Sequence, residues 1–508
     1  MATMTSRPSS DVEKNAVAQN AIADQTGNGH DYTKPAPSTF EKLKTRMYHS
    51  TIVEYRGIEP VQPEDRTDRR YINVLSFWIS MTLSVLPIIF GMLGPLAYGL
   101  SLTNSALVIL FFSLLTAAPC AYLVTLGPKT GMRQMSLARY SFGYYPVSVP
   151  ILLNLATLVG YCIVGDVIGG EVLAAVAPQK ISWTVGIAIV GVIAFFISAM
   201  GYRTLHYYER YAWMVALVCI VILIGSGGKD LRKQSVFPAP EASAVVSFGG
   251  LMAGYFLPWA AIASDYSVYM SPDAPAKRIF LYAYAGLTIP SILFLVLGAA
   301  IGGAVPNIPS WSAAYESGSA GEVLGAMLTP LGGFGQFILV LLSLTIIANL
   351  AGTIYAVTLN FQALLPVFIR IPRVAYAAIT TMIMIPIAVK AAESFFANLE
   401  NFVGVIGYWS ASWVAVVLIE HFWFRKGDAA SYAIEKWNDP KMLPSGVAAI
   451  AAGSLSMALA IPSMSQVWYV GPIGVRTGDI GFEMAGAVTA VLYVPFRYFE
   501  KRVQRLNR

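Results

Sequence analysis

The chain has 508 residues, of which 56% are hydrophobic and only 12% are charged. Soluble domains carry about 25% charged residues, so this composition excludes an ordinary soluble protein of this length. The apolar residues are grouped in blocks of about 20, the length that crosses a hydrocarbon core of about 30 Å. The net charge of +6 comes from basic residues scattered over loops and the tail, which excludes a continuous nucleic-acid-binding stripe. We predict an all-α polytopic membrane protein embedded in the lipid bilayer.

The predicted elements begin with a polar N-terminal tail over residues 1–70. Ser, Asn, Asp, Pro and Ala dominate residues 1–39, so we expect the tail to be largely disordered. It lacks the apolar core of a cleavable signal peptide. Twelve apolar stretches follow and are predicted as transmembrane helices, numbered here in chain order. They lie near residues 74–98, 105–126, 147–176, 183–200, 211–227, 246–264, 279–304, 333–357, 375–392, 402–424, 445–463 and 478–496.

The distribution of Lys and Arg predicts the orientation of these helices. With a cytoplasmic N-terminus, 28 of the 34 basic residues lie in tails and loops on the cytoplasmic side. Cytoplasmic loops carry such an excess in membrane proteins. An even number of spans is therefore favoured, with both termini in the cytoplasm.

Two predicted helices contain residues that interrupt a helix. Predicted helix 1 carries Pro87 followed by Gly91 and Gly94, and predicted helix 6 carries Gly254 followed by Pro258. Proline removes a helical N–H, and lipid cannot satisfy freed backbone groups, so such breaks persist where they face protein or a wet cavity. Broken helices in corresponding positions predict an inverted-repeat transporter with its solute and coupling ion bound at the breaks. The alternative is a pair of proline kinks used only for packing.

Predicted helix 3 carries two carboxylic acids on an otherwise apolar segment. Asp166 and Glu171 are unfavourable in the membrane unless they are protonated or paired. Either could accept a coupling proton. A structural role is the alternative for Asp166, and a hydrated position near the outer interface is the alternative for Glu171.

Predicted helix 8 carries a group of polar side chains. Asn349 and Thr353 are four residues apart on one helix face, where an amide and a hydroxyl can satisfy the donors and acceptors of a heterocycle. Ser343 and Thr345 carry oxygens of the kind that line a cation site beside a broken first helix. Hydrogen bonding between helices is the alternative for all of them.

Several segments resemble one family of fungal transporters. Residues 127–135 read GPKTGMRQM, and residues 263–270 read ASDYSVYM. These segments are similar to purine–cytosine permeases of the nucleobase–cation symporter family, as are residues 138–143, 201–202, 206–209, 371–374, 420–422 and 478–483. The resemblance runs from about Arg56 to Tyr498.

The resemblance implies a LeuT-like five-plus-five inverted-repeat core with helices 1 and 6 broken, and two extra C-terminal helices. It also implies proton-coupled uptake at the plasma membrane by a protein that we expect to be a monomer. No cofactor or metal is expected, and the coupling cation is expected to be H⁺ rather than Na⁺. The implied segments are a cytoplasmic tail at 1–70, the first repeat with the start of the second (helices 1–6) at 71–265, helices 7–10 at 266–424, the two extra helices at 425–496 and a cytoplasmic tail at 497–508.

A substrate site is also implied by the resemblance. In the family, an aromatic residue of helix 3 and a tryptophan of helix 6 sandwich a flat base, asparagines of helices 3 and 8 bind its edge, and a serine of helix 1 assists. The matching positions here are Ser84, Tyr161, Gly165, Trp259, Asn349 and Thr353. Tyr161 replaces a tryptophan, Gly165 replaces a polar residue, and Thr353 ends a helix 8 motif that usually has asparagine at both ends. Because a buried polar group without a partner is costly, these departures predict a change in the accepted heterocycle.

We therefore predict a secondary active transporter that takes up a purine, cytosine or a similar heterocycle by proton symport through alternating access. Asp265 and Tyr266, near the inner end of predicted helix 6, are candidate gate residues. Two alternatives stay open: the same mechanism for a vitamin such as pyridoxine or another small heterocycle, and a membrane sensor that binds a solute without moving it. An enzyme is not expected, because His206 and His421 are far apart in the sequence and no ligand spacing joins them to other residues.

Overall fold

The computed structural model describes residues 57–200 and 202–506. The predicted disordered segment 1–39, the rest of the tail up to residue 56 and the side chain of His206 lie outside the described residues. The longer helices of the described part are α1 (Ile72–Thr82), α2 (Val85–Leu96), α3 (Leu102–Val124), α4 (Leu126–Thr130), α5 (Gln134–Phe142), α6 (Ser148–Ala174), α7 (Trp183–Ala199), α8 (Tyr202–Gly227), α9 (Ala242–Phe256), α10 (Ala276–Ala304), α11 (Pro309–Glu316), α12 (Ala320–Leu328), α13 (Gly333–Leu364), α14 (Arg373–Ala391), α15 (Phe395–Ile419), α16 (Val447–Ala460), α17 (Gly474–Thr477) and α18 (Gly481–Leu506).

Shorter elements join these helices. The strands β1 (Ser465–Gln466) and β2 (Tyr469–Val470) form an antiparallel hairpin in which Ser465 lies opposite Val470. A 3-10 helix over Leu257–Tyr266 continues α9, and a π-helical segment over Glu420–Phe424 continues α15. The other 3-10 turns are Pro63–Asp65, Asp230–Arg232, Val305–Asn307, Thr329–Leu331, Pro366–Arg370, Ala392–Ser394, Ala429–Ser431, Ile434–Lys436 and Ile461–Ser463.

Length and apolar composition identify the membrane-crossing helices. In the described part of the chain, six helical segments are long and apolar enough to cross a membrane, and the bent pair α1–α2 makes a seventh. Shorter apolar helices include α7, residues 211–227 of α8, and α16 with the turn that follows it. Each of the twelve predicted stretches coincides with a helix. The predicted polytopic helical fold is confirmed, whereas the number of crossings stays a prediction.

The helices pack in three groups. Helices α6, α7, α13 and α14 contact one another in every pairwise combination, and we call this group the four-helix bundle. Helix α10 packs against α1, α2 and α3, and α9 packs against α3. The C-terminal helices α16 and α18 pack against each other and against α15. Predicted helices 3 and 8, which are α6 and α13, therefore lie in one group, and broken helices 1 and 6 in another.

Close backbone contact holds α2 against α10. A Cβ atom added at Gly91 would collide with the carbonyl oxygen of Leu295, and one added at Gly298 would collide with that of Ile88. Small residues let helix backbones approach in this way where lipid supplies no hydrophobic driving force. The second half of the broken helix is thus fixed to the group that contains α9.

Candidate functional site at the two interrupted helices

The first interruption lies between α1 and α2. Helix α1 ends at Thr82, α2 begins at Val85, and the two helices are bent by 54°. Ser84 is the N-cap of α2, and its Oγ accepts a hydrogen bond from Leu86 N at 3.3 Å. Pro87 follows in the first turn of α2, where backbone N–H groups have no partner within the helix. The N–H that proline lacks is therefore not missed at this position. The predicted break exists, but it lies before the proline and is stabilised by the serine cap.

The second interruption is a change of helix type. Helix α9 ends at Phe256 and continues as a 3-10 helix, with Pro258 at its second position. The chain is therefore tightened here rather than unwound into a loop. A long 3-10 stretch inside a membrane helix is uncommon and marks a hinge or a functional site. Trp259 is the third residue of this stretch and is buried, and its indole Nε1 has no hydrogen-bond partner among the described residues.

Tyr161 of α6 faces Trp259 across the space between the helix groups. Their ring centroids are 6.4 Å apart and the ring planes are inclined by 28°. A flat ring held between two others needs about 7 Å, twice the usual contact distance of carbon atoms. The centroid distance is below this value, so the rings need to part or slide to admit a planar solute. The Tyr161 hydroxyl donates a hydrogen bond to Gly254 O at 2.7 Å, which links α6 to α9.

Asn349 connects α13 to the first interruption. Its Nδ2 donates a hydrogen bond to Met81 O at 2.7 Å. Met81 belongs to the last turn of α1, where carbonyl groups have no partner within the helix. The buried amide thus stabilises the break directly. Thr353, one turn further on, donates its hydroxyl hydrogen to Asn349 O at 2.8 Å, so the two side chains lie on one helix face as predicted.

Gly165 contributes no polar contact to this region. A Cβ added there would lie 3.6 Å from Ile346 Cγ2 and 3.9 Å from Leu350 Cδ1, both on α13. The position therefore faces an apolar part of α13, with room for a small side chain. Its assignment to the substrate site stays a prediction.

Ser343 and Thr345 make their hydrogen bonds away from the first interruption. Ser343 Oγ donates to Gly169 O of α6 at 2.7 Å, and Thr345 Oγ1 donates to Leu342 O of its own helix at 2.6 Å. In the described residues, these two hydroxyl groups therefore serve packing and the helix itself. The bond of Ser343 matches the alternative of hydrogen bonding between helices, whereas that of Thr345 lies within its own helix. The role of both residues in a cation site stays a prediction.

Two aromatic residues that the sequence interpretation did not assign to the site border the ring pair. Trp78 of α1 makes an edge contact with Trp259, with centroids 5.9 Å apart. Phe402 of α15 makes an edge contact with Tyr161, with centroids 5.4 Å apart. Trp78 could have been suspected because it stands shortly before the break. Nothing in the sequence pointed to Phe402, because only the fold brings α15 over α6.

Asp265 and Tyr266 lie where the 3-10 helix meets the loop before α5. Asp265 Oδ1 accepts a hydrogen bond from Gln134 N at 2.7 Å, and Arg133 Nη1 donates to the Asp265 carbonyl oxygen at 2.5 Å. Tyr266 donates its hydroxyl hydrogen to Gly352 O at 3.0 Å, and its ring lies 4.3 Å from that of Phe77. These contacts connect α5, α13 and α1 at this end of the site.

The two carboxylic acids of α6 have contrasting surroundings. Glu171 Oε2 accepts hydrogen bonds from Ser319 Oγ at 3.2 Å, Ala320 N at 2.9 Å and Gly321 N at 3.4 Å. It therefore caps the N-terminus of α12, where a carboxylate is favoured. Glu171 is fully buried, so the expectation of a hydrated position was wrong. Asp166 is also fully buried, but neither of its oxygens has a partner among the described residues.

Two interrupted helices among membrane-crossing helices, with Trp259 of one of them facing an aromatic ring of a neighbouring helix, are typical of a membrane transporter. The family described as permeases for cytosine/purines, uracil, thiamine and allantoin matches residues 60–479. The chain belongs to this family, as the resemblance implied. Its relatives are permeases and transporters, and the protein is accordingly a transporter and not an enzyme.

Relatives over nearly the whole chain support this assignment. The purine-cytosine permease fcyB of Emericella nidulans is 32% identical, over 96% of this chain and 97% of its own. The purine-cytosine permease FCY2 of Saccharomyces cerevisiae is 33% identical, over 94% of this chain and 92% of its own. The vitamin B6 transporter TPN1 of the same yeast is 27% identical, over 89% of this chain and 88% of its own.

Solved structures agree on the fold. Mhp1, a nucleobase-cation-symport-1 family transporter in a closed conformation with bromovinylhydantoin bound, has a TM-score of 0.67 at 14% identity. The match covers 89% of this chain and 96% of that chain. The inward-facing conformation of Mhp1 has a TM-score of 0.63 at 16% identity.

Proposed function

We propose that the protein takes up a nucleobase-like heterocycle, a purine and/or cytosine, by proton symport through alternating access. The observation that carries the proposal is the near-parallel pair of Tyr161 and Trp259 beside both interrupted helices. Stacking of a base on an aromatic side chain contributes ~1–3 kcal/mol and suits any flat heterocycle. The family and its purine-cytosine permeases support the same class of solute.

Polar groups around the ring pair would bind the edge of the base. Tyr161 uses its hydroxyl group on Gly254, whereas Trp259 Nε1 has no partner in the described part of the chain. The indole N–H is therefore available to an acceptor on the solute. Asn349, Thr353 and Ser84 are the other candidates, although in this conformation each also makes a hydrogen bond to the backbone.

Contacts on both sides of the ring pair support a closed state of the transport cycle. Phe402 and the bond from Tyr161 to Gly254 cover one side of the site. Trp78, Phe77 and Tyr266 form the aromatic contacts of the other side. Alternating access requires that these two sets of contacts open at different times, as the four-helix bundle moves against the group that contains α1, α2 and α9.

We expect coupling to H⁺ rather than Na⁺. Ser343 and Thr345 donate their hydroxyl hydrogens to Gly169 O and Leu342 O, and their oxygen lone pairs stay available to a cation. These two residues therefore do not decide between the two ions. A proton needs a titratable group, and α6 carries the buried carboxylic acids Asp166 and Glu171.

A vitamin such as pyridoxine is a second candidate solute. The relative named as a vitamin B6 transporter favours this solute, since that relative matches 89% of this chain. Gly165, which stands where the resemblance implies a polar residue, would remove one contact to the edge of a base if it belongs to the substrate site, and this is consistent with a different heterocycle. The stacking pair suits a pyridine ring as well as a base.

We also propose the location, the orientation and the assembly state of the protein. The protein would act as a monomer in the plasma membrane, with both termini in the cytoplasm, where 28 of its 34 basic residues are expected.

Uptake measurements in cells that lack their own base permeases test the proposal. We expect saturable uptake of labelled cytosine or adenine, competition by one or more bases, and loss of accumulation when an uncoupler is added. Competition by pyridoxine alone would favour the vitamin. Binding without any uptake, with the protein present at the plasma membrane, would identify a sensor and overturn the proposal.

A further inference from the structure

Asp166 is a buried acid without a hydrogen-bonding partner among the described residues. Its side chain is fully buried in α6, and both Oδ atoms lack a donor among the residues that the structure describes. Buried polar atoms in native proteins are nearly always hydrogen-bonded, so such a carboxyl requires an explanation. An unpaired carboxylate in apolar surroundings is strongly disfavoured relative to the neutral acid.

The surroundings of Asp166 leave space for a carboxyl group without pairing it. A Cβ added at Gly191 of α7 would lie 3.0 Å from Asp166 Oδ2 and 2.9 Å from Ile385 Cγ1 of α14. The glycine therefore makes room for the carboxyl between α6, α7 and α14. The titratable group described near Asp166 is Cys162, one turn earlier on α6, and α7 and α14 present Gly191 and Ile385. No described basic group balances a negative charge there.

Asp166 lies on the same helix as Tyr161, one member of the ring pair. It follows Tyr161 by five residues on α6, a rise of about 7.5 Å along the helix. Tyr161 lies on the face of α6 that contacts α9 and Trp259, whereas Asp166 lies within the four-helix bundle. A change of charge at Asp166 would therefore change the packing of the bundle that carries one of the two stacking rings.

We propose that Asp166 is the site that binds the coupling proton, an inference that rests on the proposed proton symport. The proton binds a carboxylate oxygen from the outer solution and forms the neutral acid, which the apolar bundle accommodates in the closed state. When the bundle moves and water reaches the carboxyl, the O–H bond breaks, the proton passes to water on the cytoplasmic side, and the carboxylate is left. The solute and the proton favour the same closed conformer, and this shared preference couples them.

The substitution Asp166→Asn tests the inference, because it keeps the shape of the neutral acid and removes the proton. In cells that express the wild-type protein, we expect the ratio of internal to external solute concentration to be well above unity. The initial uptake rate should fall as external pH rises. In D166N we expect the accumulation ratio to fall to unity and the pH dependence to disappear, while exchange of labelled for unlabelled solute continues. Glu171→Gln is the matched control, since Glu171 is an equally buried acid of α6 whose Oε2 accepts hydrogen bonds, although its Oε1 has no partner among the described residues. It should retain the pH dependence.

Gly191→Ala is the second test, and it leaves the carboxyl in place. The added methyl group would lie 3.0 Å from Oδ2 and 2.9 Å from Ile385 Cγ1, so the Ile385 side chain has to shift. The methyl group keeps water from the carboxyl and disfavours its charged form, so uptake should persist to higher external pH than in the wild type. Proton-dependent accumulation by D166N equal to that of the wild type would overturn the inference. If D166N loses both solute exchange and accumulation while its abundance at the cell surface is normal, the inference is also overturned, because the role of Asp166 would then be structural. Absence of base uptake by the wild type would instead refute the proposed function.

Discussion

Replacing Trp259 with alanine removes one face of the ring pair and the free indole N–H. In the structure Trp259 faces Tyr161 at 6.4 Å and contacts Trp78 edge-on at 5.9 Å. Alanine would leave Tyr161 without the ring that faces it. The change lies inside the site, and no described hydrogen bond of the side chain is lost.

The size of the effect follows from the two contacts that disappear. Loss of one stacking face removes ~1–3 kcal/mol, and loss of one hydrogen bond to the solute removes ~0.5–1.5 kcal/mol. At 1.4 kcal/mol per tenfold change, a total of ~1.5–4.5 kcal/mol raises KM roughly 10- to 1,600-fold. Uptake should then rise linearly with solute concentration over the range in which the wild type saturates. Trp259→Phe, which keeps a ring but no N–H, should have a KM between the two.

Initial uptake rates of labelled base, normalised to the amount of protein at the cell surface, measure the effect. Trp468→Ala is the matched control, because Trp468 is 63% exposed near the β1–β2 hairpin, and its replacement should leave KM unchanged. If Trp259→Ala saturates with the KM of the wild type, the ring pair does not bind the solute and the stacking argument fails.

Three further changes have defined outcomes. Asn349→Ala removes the hydrogen bond to Met81 O and leaves that carbonyl group unpaired, at a cost of ~1–3 kcal/mol. The thermal unfolding temperature should fall and KM should rise. An unchanged melting curve of the purified protein would contradict this. Glu171→Ala removes the cap of α12 and should destabilise the protein by ~1 kcal/mol, seen as a lower unfolding temperature, whereas a wild-type value would show that the cap is dispensable. Phe402→Ala removes the ring that contacts Tyr161 edge-on, an aromatic contact of ~0.5–1.5 kcal/mol. Bound solute should therefore exchange several-fold faster than in the wild type. An unchanged exchange rate would exclude Phe402 as a cover of the site.

Local chemistry in the sequence predicted part of the site correctly, and the structure explains where it did not. The break in the first helix was expected at Pro87, yet it lies at residues 83–84, because proline is tolerated in a first turn and Ser84 supplies the cap. The interruption expected at Pro258 takes the form of a 3-10 helix. In both places the proline and glycine residues predicted that the helix is interrupted. The surrounding packing determined where the interruption lies and which backbone conformation it takes.

The sequence by itself determined the class of protein, the positions of its apolar helices and its family. Hydrophobic length and the order of family motifs are properties of the linear chain, and they need no tertiary contact to be recognised. The ring contacts of Phe402 and Trp78, the cap that Glu171 forms on α12 and the unpaired burial of Asp166 were decided only by the tertiary structure. Each depends on which helices become neighbours across long stretches of sequence. Whether a carboxyl group finds a donor is settled by those neighbours, and not by the residues beside it in the chain.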